Sequence, residues 1–299
     1  MWAPSAVFAY LVSGPTAPVS RHWSGRARAG GYDGPEMAAG ELSDRAAGYS
    51  FTPPEGWRAE EEGGRFGLAG PSGDTLAIVL PHAAPTPEEL RPLFEEGWVE
   101  PGLELKPTGE ASVGEEPVTQ RLAGEVQGQP AEGMLTALFS PHGGGVIVIG
   151  ISVGGGPDIE PAVRDIAGSV RFAVPDTAEV IESWDSALRG KKLTYLHSYG
   201  SSGPAVEGMM TGGGMTEQHD IVLSPDGSFE EHRESSLTID VGGAGTWGGE
   251  RAASDGTWEI VVVAGQAHLE LRKPDLTETY LLSESEGEIR LDGRRYFVT

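Results

Sequence analysis

From Lys191 to Thr299 the chain carries one repeated pattern, and that pattern leaves few folds open. Short stretches alternate apolar and polar residues, and turn sequences separate them. Trp258, Ile260 and Val262 alternate with Glu259, Val261 and Val263, and Ala267, Leu269 and Leu271 alternate with His268, Glu270 and Arg272. A period of two is the period of a strand with one buried face. Pro225-Asp226-Gly227, Asp255-Gly256 and Asp292-Gly293 are strong hairpin signals. Eight strands are expected, at Lys192–Ser198, Met215–Leu223, Ser228–Ile239, Thr257–Val263, Ala267–Arg272, Glu278–Leu282, Glu288–Leu291 and Arg294–Val298. Antiparallel strands with one apolar face need a core to pack on and cover for their edges, and closing into a barrel supplies both.

Thr177–Leu188, just before these strands, reads as one short helix with Val180, Ile181, Trp184 and Leu188 on one side. Trp184 is placed to plug one end of the barrel. The expected core is Trp184, Phe229, Trp258, Ile260, Val262, Leu269, Leu271 and Tyr280, with a hairpin through Gly265-Gln266 setting two of the strand faces side by side.

Residues 48–175 have a different texture, that of an α+β domain built on an antiparallel sheet with flanking helices. Strands are expected at Arg58–Glu61, Arg65–Ala69, Thr75–Leu80, Leu103–Pro107, Pro117–Ala123, Ala131–Ser140 and Val146–Val153. The last is apolar almost throughout, which marks a central strand buried on both faces. Thr86-Pro87-Glu88-Glu89 reads as a capping box opening a helix through Leu90, Leu93 and Phe94, with Pro92 kinking it. A second helix from Asp158 places Ile159, Val163, Ile166, Ala167 and Val170 on one face. Val174-Pro175 is the linker between the two domains, 48–175 and 176–299. Residues 1–47 are rich in Ala, Gly, Ser and Pro without period. They read as a disordered tail, dispensable for folding, or as the product of a start codon upstream of the true one, with Met37 as the alternative to Met1.

Two family resemblances rest on particular residues. Phe51 with Pro54-Glu55-Gly56-Trp57, Gly143-Gly144-Gly145-Val146, and Ile166-Ala167-Gly168-Ser169-Val170-Arg171-Phe172 resemble the PsbP-like family. That resemblance implies an α/β/α sandwich, shared with the Ran-binding factor Mog, and a role as adaptor or assembly factor without a shared catalytic site. Trp184, Lys192–Ser198, Asp226-Gly227-Ser228-Phe229, Gly256-Thr257-Trp258 and Leu291-Asp292-Gly293-Arg294-Arg295-Tyr296-Phe297 resemble a small lipocalin-like barrel. Lipocalins carry Gly-x-Trp on their first strand, whereas here it sits in the middle of the domain.

Charge and composition exclude several functions. The formal net charge is −24. Residues 48–175 and 176–299 each contribute −12, from seven basic against nineteen acidic groups and from ten against twenty-two. A nucleic-acid reader needs clustered Lys and Arg, and neither domain has them. No apolar run approaches the roughly 20 residues that span a bilayer. With no cysteine there is no thiol chemistry and no disulfide, and the chain suits cytosol and periplasm alike, with the cytoplasm favoured.

The chain reads as a non-enzymatic binding or scaffolding protein, with an unknown protein partner or a small apolar ligand. The alternative is a carrier of a small apolar ligand in the barrel, and the third reading is an enzyme of unrecognised type. No cofactor, metal or catalytic set is read from the sequence. His219 shares the apolar face of Ile221 and Leu223, while His232 and His268 point the other way, so the three do not make a metal site. Glycine-rich loops are expected at Gly208–Gly214 and Gly242–Gly249, framing the end of the barrel away from Trp184. Met209, Met210, Met215 and Trp247 are the residues expected at that mouth, because methionine adapts to irregular apolar shapes.

Overall fold

A computed structural model describes residues 40–62, 64–100, 102–112, 117–202, 211–241, 244–285 and 287–299. The chain forms two compact units, Met1–Thr177 with Val263–Gln266, and Ala178–Val262 with Ala267–Thr299. Among the described residues no helix is long and apolar enough to cross a membrane.

The first described strands of the first unit are β1 (Leu42–Asp44) and β2 (Tyr49–Phe51). Eight strands then build one antiparallel sheet: β3 (Arg58–Glu62), β4 (Arg65–Ala69), β5 (Thr75–His82), β6 (Trp98–Glu100), β7 (Leu103–Pro107), β8 (Val118–Val126), β9 (Gln129–Phe139) and β10 (Gly145–Val153). Their order across the sheet is β3-β4-β5-β10-β9-β8-β7-β6. The apolar strand β10 is indeed central, paired with β5 on one side and β9 on the other. Its alternation feeds two cores. Val146 and Val148 pack with Phe51, Phe66, Val163 and Ile166 on one face. Ile147, Ile149 and Ile151 pack with Leu105, Leu122, Leu135 and Phe94 on the other.

Helix α1 (Arg91–Glu96) and helix α2 (Glu160–Ser169) supply Phe94 and Val163 with Ile166 respectively. Helix α2 lies so close to the sheet that a β-carbon on Gly150 would come within 2.3 Å of Val163 and 2.6 Å of Ile159. Gly150→Val is therefore expected to cost about 1–3 kcal/mol through overpacking. Urea unfolding of the whole chain measures it, and an unchanged midpoint would show that α2 can lift away freely.

Three local expectations fail here for physical reasons. The capping box at Thr86 does not form: the helix starts at Arg91, and its N-cap Leu90 makes no side-chain capping bond. Pro92 does not kink a longer helix but lies in the first turn, where its missing N–H has no partner to lose. The stretch 40–47, assigned to a tail, contributes β1, which pairs with β2 and with it and β11 (Arg171–Phe172) makes a three-stranded sheet. Leu42 is buried in the core with Tyr49 and Phe51. A chain beginning at Gly48 is thus expected to be less stable by about 2–5 kcal/mol, the range for losing a buried leucine, and melting of the shortened chain tests it. The expectations for residues 1–39 lie outside the described residues.

The second unit opens with α3 (Ala178–Leu188). Eight antiparallel strands follow: β12 (Lys192–Ser202), β13 (Thr211–Leu223), β14 (Ser228–Val241), β15 (Ala244–Val263), β16 (Gln266–Arg272), β17 (Thr277–Ser285), β18 (Glu288–Leu291) and β19 (Arg294–Val298). Each strand neighbours the next, and β12 also pairs with β19, so the sheet closes into the expected barrel. Leu188, Leu193, Ile221, Leu223, Phe229, Trp258, Ile260, Leu269, Leu271, Leu282 and Leu291 form its buried core. Val180, Ile181, Trp184 and Tyr280 pack against that core half-buried, while Val262 is half-buried outside it.

Three turn expectations change. The β15–β16 hairpin turns on Ala264-Gly265, one residue earlier than expected, with both residues at positive φ (50° and 77°) as a type I′ turn requires. Asp255-Gly256 is no turn at all but lies inside β15, paired with Glu230 and Phe229. A β-carbon on Gly256 would sit 2.0 Å from the Arg272 carbonyl oxygen and 2.9 Å from the Phe229 ring. The glycine serves close approach rather than a turn. The loops expected at Gly208–Gly214 and Gly242–Gly249 are strand wherever they are described, 211–214 in β13 and 244–249 in β15.

Candidate functional site

Strand lengths make the two ends of the barrel differ. Strands β12 to β15 run 11, 13, 14 and 20 residues, whereas β16 to β19 run 7, 9, 4 and 5. The long four overreach the short four on the side away from α3. Residues paired across an antiparallel ladder point to the same face, so the registers define lumen-facing rows. Leu223, Phe229 and Gly256 form the row nearest α3. Leu193, Ile221, Glu231 and Ser254 come next, then Tyr195, His219, Arg233 and Ala252. Beyond these stand His197, Glu217, Ser235 and Glu250, and then Tyr199, Met215, Leu237 and Gly248. The lumen therefore passes from apolar to charged to amphipathic.

The charged layer is dense and closely paired. Glu231, only 4% exposed, is its centre. Its Oε1 accepts from His219 Nε2 at 2.6 Å and from Arg233 Nε at 2.8 Å. Its Oε2 accepts from Ser254 Oγ at 2.7 Å and from Lys273 Nζ at 2.6 Å. Lys273 also meets Glu278 at 2.9 Å, and Arg233 Nη2 donates to Glu278 at 2.5 Å and to the Tyr280 hydroxyl at 2.6 Å. Tyr280 in turn donates to Glu278 at 2.6 Å. His219 Nδ1 lies 2.7 Å from the Tyr296 hydroxyl. A carboxylate only accepts, so Nε2 of His219 carries a proton toward Glu231.

Burial by itself disfavours charge on Glu231, but the bonds from His219, Lys273, Ser254 and Arg233 outweigh it and hold the carboxyl far below the ordinary range. Glu278 is lowered in the same way, against burial, by Tyr280, Lys273 and Arg233. Burial pushes the Tyr280 and Tyr296 hydroxyls well up, so both stay protonated. Two carboxylates face two cations, Arg233 and Lys273.

Beside the layer the wall is aromatic, with Tyr296 buried and Tyr195 half-buried, and further out it becomes exposed. Tyr195 lies 5.6 Å from the Tyr296 ring centroid and stacks on His197 at 6.4 Å. The Arg294 guanidinium sits 5.4 Å over the Tyr195 ring, with Nη1 3.4 Å from Glu217. Tyr199, Met215 and Leu237 are 64%, 45% and 48% exposed.

Of the residues expected at the mouth, Met215 stands in β13 between Tyr199 and Leu237 and is exposed. Met209 and Met210 lie outside the described residues. Trp247 stands in β15 opposite Thr238 rather than in a loop, and its side chain lies outside the description. His219 is buried facing the lumen and His232 is exposed. Among the described residues no group of three His, Asp or Glu could hold a metal ion. The charged layer itself was missed. The alternation that puts Phe229 inside puts Glu231 and Arg233 inside too, so the sign was present in β14.

No protein-family model matches this chain, and no curated protein matches it significantly. Among solved structures, one from Bacteroides thetaiotaomicron VPI-5482 is similar at 14% identity with a TM-score of 0.31, over 46% of this chain and 49% of that one. This chain thus spans about half the length of that protein.

Proposed function

We propose that the protein is a non-enzymatic binding module whose ligand or partner docks at the open end of the C-terminal barrel. The observation that carries this reading is the sequence of rows in the lumen. Apolar side chains occupy the half next to α3, the paired charges form a floor above them, and exposed Tyr199, Met215 and Leu237 line the wall beyond. A layer of apolar residues would be a cheaper filling than buried ion pairs. Charges kept at such a floor suit the recognition of something polar above them. This favours a partner or amphipathic ligand at the mouth over an apolar ligand carried deep in the barrel. Acid–base catalysis works best with groups that titrate near the operating pH, whereas here the lumen carboxyls are driven down and the tyrosines up.

The finer family readings accompany this proposal. The N-terminal unit is read as PsbP-like, supported by its central antiparallel sheet with α2 on one face and α1 on the other. The barrel is read as lipocalin-like, supported by eight strands in next-neighbour order. On both readings the protein acts by holding other molecules.

The test is to compare the full chain with its Tyr199→Glu/Leu237→Asp variant against a panel of apolar and amphipathic compounds, read by tryptophan fluorescence and thermal shift. At least one compound is expected to raise the melting temperature of the natural chain and not of the variant. Equal responses of both proteins would place the site elsewhere.

A further inference from the structure

The open end already holds a cation of its own. Arg294 reaches from β19 onto the face of Tyr195 and meets the carboxylate of Glu217. An aromatic face beside a carboxylate is the usual chemistry for an organic cation. Further out an aromatic ring and a carboxylate occur again, on neighbouring rows and on different strands. Tyr199 presents its ring to solvent from β12, and Glu250, exposed on β15, has no ion-pair partner among the described residues. Glu217 and Glu250 stand in one row on either side of the small Ser235. Two strand spacings separate them, about 10 Å, room for one ammonium group between their carboxylates. Met215 and Leu237 supply apolar wall beside it, opposite each other in the row of Tyr199.

We propose that this open end binds a small organic cation with an apolar tail, of the alkylammonium type, with its charge between Glu217 and Glu250 and its tail along Met215 and Leu237. The inference rests on the reading of the open end as the binding site. Charge balance selects the sign of the ligand. Arg233 and Lys273 are spent on Glu231 and Glu278, and Arg294 on Glu217, which leaves the carboxylate of Glu250 unmatched among the described residues. Residues 176–299 carry ten basic against twenty-two acidic groups, so the long-range field also draws cations and repels anions.

The experiment is calorimetric titration of the full chain with decyltrimethylammonium, decanoate and decanol, each below its micelle or solubility limit. Decyltrimethylammonium is expected to bind saturably, and more weakly as salt is raised. Decanoate is expected not to bind. The exposed double variant Tyr199→Ala/Glu250→Gln, which removes no buried group, is expected to weaken the ammonium by about tenfold. If decanol binds as tightly as the ammonium and the variant weakens both alike, the binding site stands and the preference for a cation is overturned. If the ammonium binds natural chain and variant equally, the cation sits elsewhere and the inference falls.

Discussion

Trp258→Ala is expected to remove about 3–5 kcal/mol from the barrel, the range for truncating a large buried aromatic. Trp258 is 5% exposed and packs in the core with Leu223, Phe229 and Leu269. Its indole N–H donates to the Ser224 carbonyl at 3.1 Å, and the Arg189 guanidinium lies 5.3 Å over its ring. Truncation therefore opens a cavity, removes one of the two hydrogen bonds to the Ser224 carbonyl, which keeps that from the Gly227 N–H, and strips a cation of its aromatic face. The loss is comparable with the whole stability of a small domain, about 5–15 kcal/mol. Barrel strands should show strong loss of hydrogen-exchange protection, with little change in β10 of the sheet unit. A variant that melts like the natural chain would mean that Trp258 does not hold the barrel core.

Glu231→Ala is expected to be as damaging, for an electrostatic reason. The carboxylate is the shared acceptor of His219, Arg233, Ser254 and Lys273. Removing one partner of a buried ion network leaves uncompensated charge and costs about 3–5 kcal/mol. The pH dependence checks the cause. Glu231 and Glu278 have folded-state pKa values below the unfolded value of 4.5, so their contribution is fully present above that pH. It declines as pH falls below 4.5 and is lost as pH passes down through the folded values. The natural chain should therefore lose stability steeply on acidification, and Glu231→Ala should lose less across the same interval. Parallel acid limbs for the two proteins would show that Glu231 is not the linked group.

The barrel was legible because alternation is a local property. Trp258 and Ile260 face inward, as do Leu269 and Leu271, since side chains on a strand alternate whatever lies across the ladder. His219 follows the same rule through Ile221 and Leu223. The central place of β10 was legible as well, because a strand apolar on both faces must be covered on both. Local signals failed where tertiary contacts outweighed them. Asp255-Gly256 has hairpin chemistry but is held in β15 because Phe229 and the β16 backbone fill the space a side chain would need. Leu42 is embedded in a segment of tail-like composition, yet the hydrophobic core of the sheet unit draws it in.

The chain's sequence by itself determined the period, the number of barrel strands and which residues of each strand share a face. Only the tertiary structure decided that Glu231 of β14, Lys273 beyond β16, Glu278 of β17 and Tyr296 of β19 converge on one layer. Their spacing along the chain carries no sign of this, because the distance between them is set by closure of the barrel and by the unequal lengths of its strands. Charged residues on an alternating strand read as solvated until closure turns their face inward. Burial then forces each of them to find a partner, since an unpaired charge in the lumen would cost more than the fold could spare.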